Sequence, residues 1–189
     1  MIGHPPLVPP WFDVPRRVEA DRFVLVPLTW RLFPLDFECY MSSVQHLQAT
    51  FDLDGASLEL GGERWPANSD LEFAHVDAAW CQFEAEHLRS SFTYVPLTPA
   101  GDRQLGAGYI FPSKKAAFRV ECQTWVRADE AARGFDAWFY RWFRRWVEDT
   151  WPFRAEDIGW PGREIPWEEW NELEPLQRPA WTDRGGAES

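Results

Sequence analysis

The stretch Thr124-Trp-Val-Arg-Ala-Asp-Glu-Ala-Ala-Arg-Gly-Phe-Asp-Ala137 decides the fold, because a strand turns into a helix there through a loop of small residues. Upstream, Phe118, Val120, Cys122, Thr124 and Val126 alternate with Arg119, Glu121, Gln123 and Trp125, the period of two of a β-strand over about 117–126. Downstream, Phe135, Trp138, Phe139, Trp142, Phe143, Trp146 and Val147 recur at helical spacing over 135–149. Asp136, Arg141, Arg144, Arg145, Glu148 and Asp149 lie on the opposite face, so the helix presents one apolar stripe to a sheet. Trp151-Pro152 stops it, since the residue before proline is driven to extended backbone. A loop entering a helix N-terminus aims several backbone N–H groups at one spot, an arrangement that can hold a pyrophosphate. The same residues also suit an ordinary connection that turns at Arg133-Gly134.

Working outward, Met1 to Pro15 carries five prolines and reads as an extended arm over 1–20. Arg22 to Pro27 is a short strand, and Thr29 is placed to cap a helix running from Trp30 to about Phe51. Gly55 to Asn68 is a loop holding Gly61-Gly62 and Trp65-Pro66. Ser69 or Asp70 caps a second helix over about 70–89. Strands follow at about 91–97 and 104–111, joined by the turn Pro99-Ala-Gly-Asp-Arg103. A short strand near Asp157–Trp160 and a short helix opened by Pro166 complete the pattern. This order predicts one α/β or α+β domain over 21–170, with a tail over 171–189.

The 189 residues include 13 Trp and 14 Phe but only 2 Met and 4 Tyr, so the aromatic rings must fill a core or form a stacking surface. The net charge is −11, and 17 of the 19 basic residues are Arg. An acidic chain with no basic cluster is a poor partner for nucleic acid. The longest apolar run, Phe23 to Leu28, is too short for a membrane span, and no signal-peptide core is present. Cys39, Cys81 and Cys122 are widely spaced and odd in number, which predicts free thiols and a cytoplasmic protein. The four histidines make no metal-binding pair, so no metal site is expected. No nucleophile elbow or P-loop is present.

Several phrases in order resemble the GNAT superfamily of N-acetyltransferases, in a bacterial branch, over about 11–170. They are Phe12-Asp-Val-Pro-Arg-Arg17, Phe23-Val-Leu-Val-Pro-Leu28, Trp65-Pro66, Ser91-Phe-Thr-Tyr94 and Leu105-Gly-Ala-Gly-Tyr-Ile-Phe-Pro-Ser113. Trp125-Val-Arg127, Trp151-Pro-Phe153 and Pro161-Gly-Arg-Glu-Ile-Pro-Trp167 continue the series. The resemblance implies a mixed central sheet with helices on both faces, splayed at its middle, with acetyl-CoA in the cleft. It implies that pantetheine pairs along the strand ending at Val126, and that Arg127, Ala132, Arg133, Gly134 and Phe135 surround the pyrophosphate. The activity implied is transfer of an acetyl or other acyl group to the amine of a small molecule. The family's phosphate loop falls on Ala131-Ala-Arg-Gly-Phe-Asp136, a degenerate version in which Ala131 and Asp136 depart from the pattern. A carboxylate at Asp136 caps the helix itself and repels a phosphate. The alternative is therefore a GNAT-like module that has lost acetyl-CoA and serves as a ligand-binding or interaction protein. Glu121 is the candidate base and Tyr109 the candidate acid. A homodimer is expected, to be checked by light scattering.

Overall fold

The computed structural model describes residues 5–51, 59–60, 63–64, 66 and 69–176. Its strands are β1 (Val18–Glu19), β2 (Val24–Pro27), β3 (Glu59–Leu60), β4 (Glu63–Arg64), β5 (Phe92–Leu97), β6 (Gly106–Pro112), β7 (Val120–Val126) and β8 (Ile158–Gly159). Its helices are α1 (Phe33–Met41), α2 (Val44–Thr50), α3 (Leu71–Phe83), α4 (Ala128–Ala131), α5 (Phe135–Thr150) and α6 (Trp167–Glu172). Strands β3 and β4 form a hairpin of their own, and the other six make one sheet in the order β1-β2-β5-β6-β7-β8. Every pairing in that sheet is antiparallel except β7 with β8. A parallel pair needs a crossover, and α5 provides it.

The α5 stripe explains how the sheet is covered on one face. Phe135, Phe139, Phe143 and Val147 are buried against Phe23, Leu25, Phe92, Ile110, Val120, Cys122 and Val126. The fit requires glycine at 108, because a Cβ there would lie 2.4 Å from a ring carbon of Phe143. On the other face, Cys39, Tyr40 and Leu47 of α1 and α2 join Ala74 and Ala78 of α3 over Val95, Leu97, Ala107 and Trp125. The architecture is α+β, a mixed sheet with helices on both faces. All three cysteines are free thiols.

Three local departures from the sequence reading have physical causes. The expected helix over 30–51 is a 3-10 turn at Trp30–Leu32 followed by α1 and α2, broken at Ser42-Ser43. There Ser42 Oγ donates to the Cys39 carbonyl at 2.7 Å, and Ser43 Oγ accepts from the Ala128 N–H at 3.0 Å. Asp70 caps α3 as expected, accepting from the Phe73 N–H at 2.7 Å. The helix then widens into a π-turn over Glu84–Leu88 that ends at Arg89 in the left-handed region, φ 53°. The proline-rich arm, finally, is packed into the domain, with Leu7 and Val8 buried in the α5-side core.

The tryptophans follow the same division. Trp146 is buried and stacks on the half-buried Trp142, whose ring meets Phe23 edge-on. Trp160 and Trp170 are buried within the domain. Trp65 and Trp181 lie outside the described residues.

Candidate active site at the parting of β7 and β8

Strand β8 pairs with β7 only at Val120↔Ile158 and Glu121↔Gly159, after which the two part. The chain beyond β8 folds back on itself, and the Trp160 carbonyl accepts from the N–H groups of Arg163, Glu164 and Ile165. This turn sends the Arg163 side chain into the gap. Its Nη1 and Nη2 bind Asp136 at 2.6 and 2.7 Å, and Nη2 also donates to the Thr124 carbonyl at 3.0 Å. The guanidinium lies 5.3 Å from the centroid of the Tyr140 ring, and Tyr140 donates to Glu164 at 3.0 Å. Two parallel N–H···O bonds fix orientation as well as charge, so Arg163 is locked in place.

The loop before α5 is turned inward. The N–H groups of Glu130 and Ala131 donate to the Arg127 carbonyl, Ala132 to Ala128, Arg133 to Glu130 and Gly134 to Ala131. These bonds make α4 and its exit turn. Gly134 then takes φ 77°, a conformation that suits glycine, and starts α5. Ala132, Arg133 and Gly134 are exposed, whereas Val126 and Phe135 are core residues. Arg127 is buried and ion-paired with Glu38 through Nη1, with a second bond from Nη2 at 2.9 Å. That bond holds the Glu38 carboxyl below its usual value and pushes the Arg127 guanidinium up. Arg103 pairs with both Asp129 and Glu130. Desolvation opposes it, yet Arg103 and Arg127 together hold Asp129 below the ordinary aspartate value. The acidic pair beside the loop is thus neutralised by Arg103 of the β5–β6 connection and Arg127 at the end of β7.

In this arrangement the backbone edge and loop that the resemblance assigns to acetyl-CoA are already engaged. Arg163 engages the Thr124 carbonyl and the Asp136 carboxylate, groups beside which the resemblance places acetyl-CoA. Turning out that one side chain would bare the Thr124 carbonyl and the start of α5.

Glu121 and Tyr109 come to a common face of the sheet, the one under α1 and α3. The directly opposed pairs Phe111↔Glu121, Tyr109↔Gln123 and Ala107↔Trp125 establish this, since opposed residues point the same way. Glu121 accepts from the Lys114 N–H at 3.2 Å, and burial pushes its carboxyl up from the ordinary glutamate value. Tyr109 accepts from Trp125 Nε1 at 2.9 Å, and burial pushes its hydroxyl well above the usual tyrosine value. Burial outweighs the Trp125 bond, which favours the phenolate, so the phenol stays protonated at neutral pH.

The sequence reading passed over Arg163. It lies within the phrase Pro161–Trp167 that carries part of the resemblance, but nothing local gives it a role. The partner, Asp136, is 27 positions away.

Among the described residues, no helix is long and apolar enough to cross a membrane, and no group of three or more His, Cys, Asp or Glu is placed to hold a metal ion. No protein-family model matches the chain, and no curated protein matches it. Among solved structures, a "putative GnaT-family acetyltransferase" from Bordetella pertussis is similar at a TM-score of 0.48 and 14% identity, over 74% of this chain and 75% of that one. A second, described as a "putative acetyltransferase", is similar at a TM-score of 0.47 and 15% identity, over 74% and 63%. Similarity at this level transfers no residue roles. What the molecule itself defines is an α+β domain whose mixed sheet opens between its last two strands.

Proposed function

We propose that this chain is a GNAT-type N-acyltransferase that takes acetyl-CoA at the parting of β7 and β8 and acylates a small primary amine. The observation that carries this reading is the parting itself. The β7 edge beyond Glu121 meets the N-terminus of α5, and Arg163 reaches both. Apolar packing fills such a gap at least as stably as an ion pair does. Bound acetyl-CoA would supply the acyl group, its C–S bond breaking as the C–N bond to the amine forms and the departing thiolate taking up a proton. The protein's own part is to release Arg163 from Asp136 toward an incoming phosphate and to accept the amine proton at Glu121.

A second reading, a module without acetyl-CoA, is favoured by the bidentate lock and by the inward-turned loop. Thermal unfolding with acetyl-CoA separates the two. A ligand at 100 times its Kd stabilises by about 2.7 kcal/mol, a clear rise in Tm. Asp136→Asn removes the repulsion and frees Arg163, so it should bind more tightly than wild type. No shift at millimolar acetyl-CoA in either protein would sink the acyltransferase reading.

For catalysis, Glu121→Gln should lower kcat by about 10²-fold or more toward a panel of small primary amines. A base works deprotonated, so the wild-type rate should rise with pH through the Glu121 pKa, on a limb displaced above the ordinary glutamate range. That limb should vanish in the variant. An unchanged pH profile would remove Glu121 from the role.

A further inference from the structure

A second opening lies two strands away from the cleft, with β6 between them. It is a cavity of about 740 Å³, lined by the arm at 13–16, the end of β2 and the turn after it, residues 85–89, and β5. Its size falls in the range of small-molecule sites, roughly 300–1,000 Å³.

The walls are held apart by specific bonds. The π-turn delivers Arg89 in its left-handed conformation, and π-turns and non-glycine residues at positive φ gather at functional sites. The Arg89 carbonyl accepts from the Leu7 N–H at 2.7 Å. Its Nη2 donates to the carbonyls of Pro9 at 3.1 Å and Phe12 at 2.7 Å. Tyr94 donates to the Pro15 carbonyl at 2.6 Å. These four bonds fasten the arm beside the cavity and stop it from collapsing inward. Arg89 Nε is buried and has no hydrogen-bond partner among the described residues.

The lining is apolar at the half-buried Val14, Val26 and Leu32, and it carries Arg16, Arg31 and Arg89 against Asp13 and Glu86. Glu86 is engaged by Gln82 Nε2 at 3.1 Å. Arg16 and Arg31 have no ion pair among the described residues, and Arg31 rests on the Trp30 ring. The lining thus carries three arginines to two carboxylates, a balance of one positive charge in a chain of net charge −11. We propose that the cavity binds an amphipathic carboxylate, with its apolar body on the half-buried Val14, Val26 and Leu32 and its anionic head toward Arg16 and Arg31. The site does not depend on the acetyl-CoA cleft.

Calorimetric titration of the full chain with decanoate, decanol and decyltrimethylammonium tests it. Decanoate should bind one to one and most tightly of the three. The paired surface substitution Arg16→Ala and Arg31→Ala should weaken decanoate about tenfold, the loss of two partly exposed charge contacts, and leave decanol unchanged. Ala85→Trp, which fills the cavity, should abolish binding of all three at an unchanged Tm. If that variant does not fold, the arginine pair still decides. No decanoate binding, equal or tighter binding of the cationic chain, an unaffected arginine variant, or displacement of decanoate by acetyl-CoA would each overturn the proposal.

Discussion

At the parting of β7 and β8, charge is matched group for group: Arg163 faces Asp136 bond for bond and takes the Thr124 carbonyl with what remains. Under the arm, Arg16 and Arg31 form no ion pair among the described residues, although Asp13 and Glu86 share their cavity, and a wide opening stays beside them. Both regions place arginine next to apolar surface, but one is closed by its own counter-ion and the other is propped open by backbone bonds. An arginine at an opening therefore says little by itself about a ligand. What matters is whether the fold brings it a carboxylate.

The largest test of this contrast is the anchor of the plug. Trp160 is buried against Tyr140 and Phe143, and its carbonyl holds the turn that carries Arg163. Trp160→Ala should cost about 4 kcal/mol in urea unfolding. A loss below about 1 kcal/mol would show that the closed cleft does not rest on the core.

A buried carboxylate without an arginine calibrates the pairing. Asp36 accepts from Gln104 Nε2 at 2.6 Å, and burial, opposed by that bond and aided by Asp77, raises its pKa to about 7. A raised carboxyl pKa means the folded state holds its proton longer than the unfolded state does. The stabilisation is complete below about pH 4 and is lost as pH rises through about 7, on the order of 3 kcal/mol. Asp36→Asn should remove that slope, and an equal slope in the variant would refute the assignment. Asp77 and Glu121, whose pKa values are also raised, contribute in the same direction and remain in the variant.

Next comes the lock. Asp136→Ala leaves the Arg163 guanidinium, 17% exposed at its side chain, without its partner and should cost about 2 kcal/mol. Adding Arg163→Ala should recover part of this, with a coupling of about 1 kcal/mol in a double-mutant cycle. Zero coupling would mean that the cleft is closed by packing alone. The smallest effect belongs to the other region. Tyr94→Phe removes one bond to the arm and should cost about 1 kcal/mol. It should also speed hydrogen exchange at the Leu7 amide, since fewer bonds then hold the arm. Unchanged exchange would place the hold on Leu7 in Arg89 and in Arg119, whose Nη2 donates to the Leu7 carbonyl at 3.0 Å.

Much of the fold could be read locally. The α5 stripe, the alternation in β7, the Asp70 cap and the stop before Pro152 each rest on neighbours within about one helical turn. Trp151 takes the extended backbone that Pro152 requires. The break at Ser42-Ser43 was hidden because Ser43 is recruited by Ala128, 85 residues on. The π-turn was hidden because its end residue, Arg89, is held by the arm. Glu121 and Tyr109 could be placed on one face only once the β6–β7 register was set.

By itself the sequence determined the parts: an aromatic helix that must lie on a sheet, a strand that leads into it, and a small-residue loop between them. Periodicity and proline geometry act over a few residues, so these are written in the chain. Only the tertiary structure decided what the loop and the gap do. Whether Asp136 would repel an anion or hold a cation depended on which side chain arrived from position 163. That is a matter of how β8 leaves β7, and no local pattern records it.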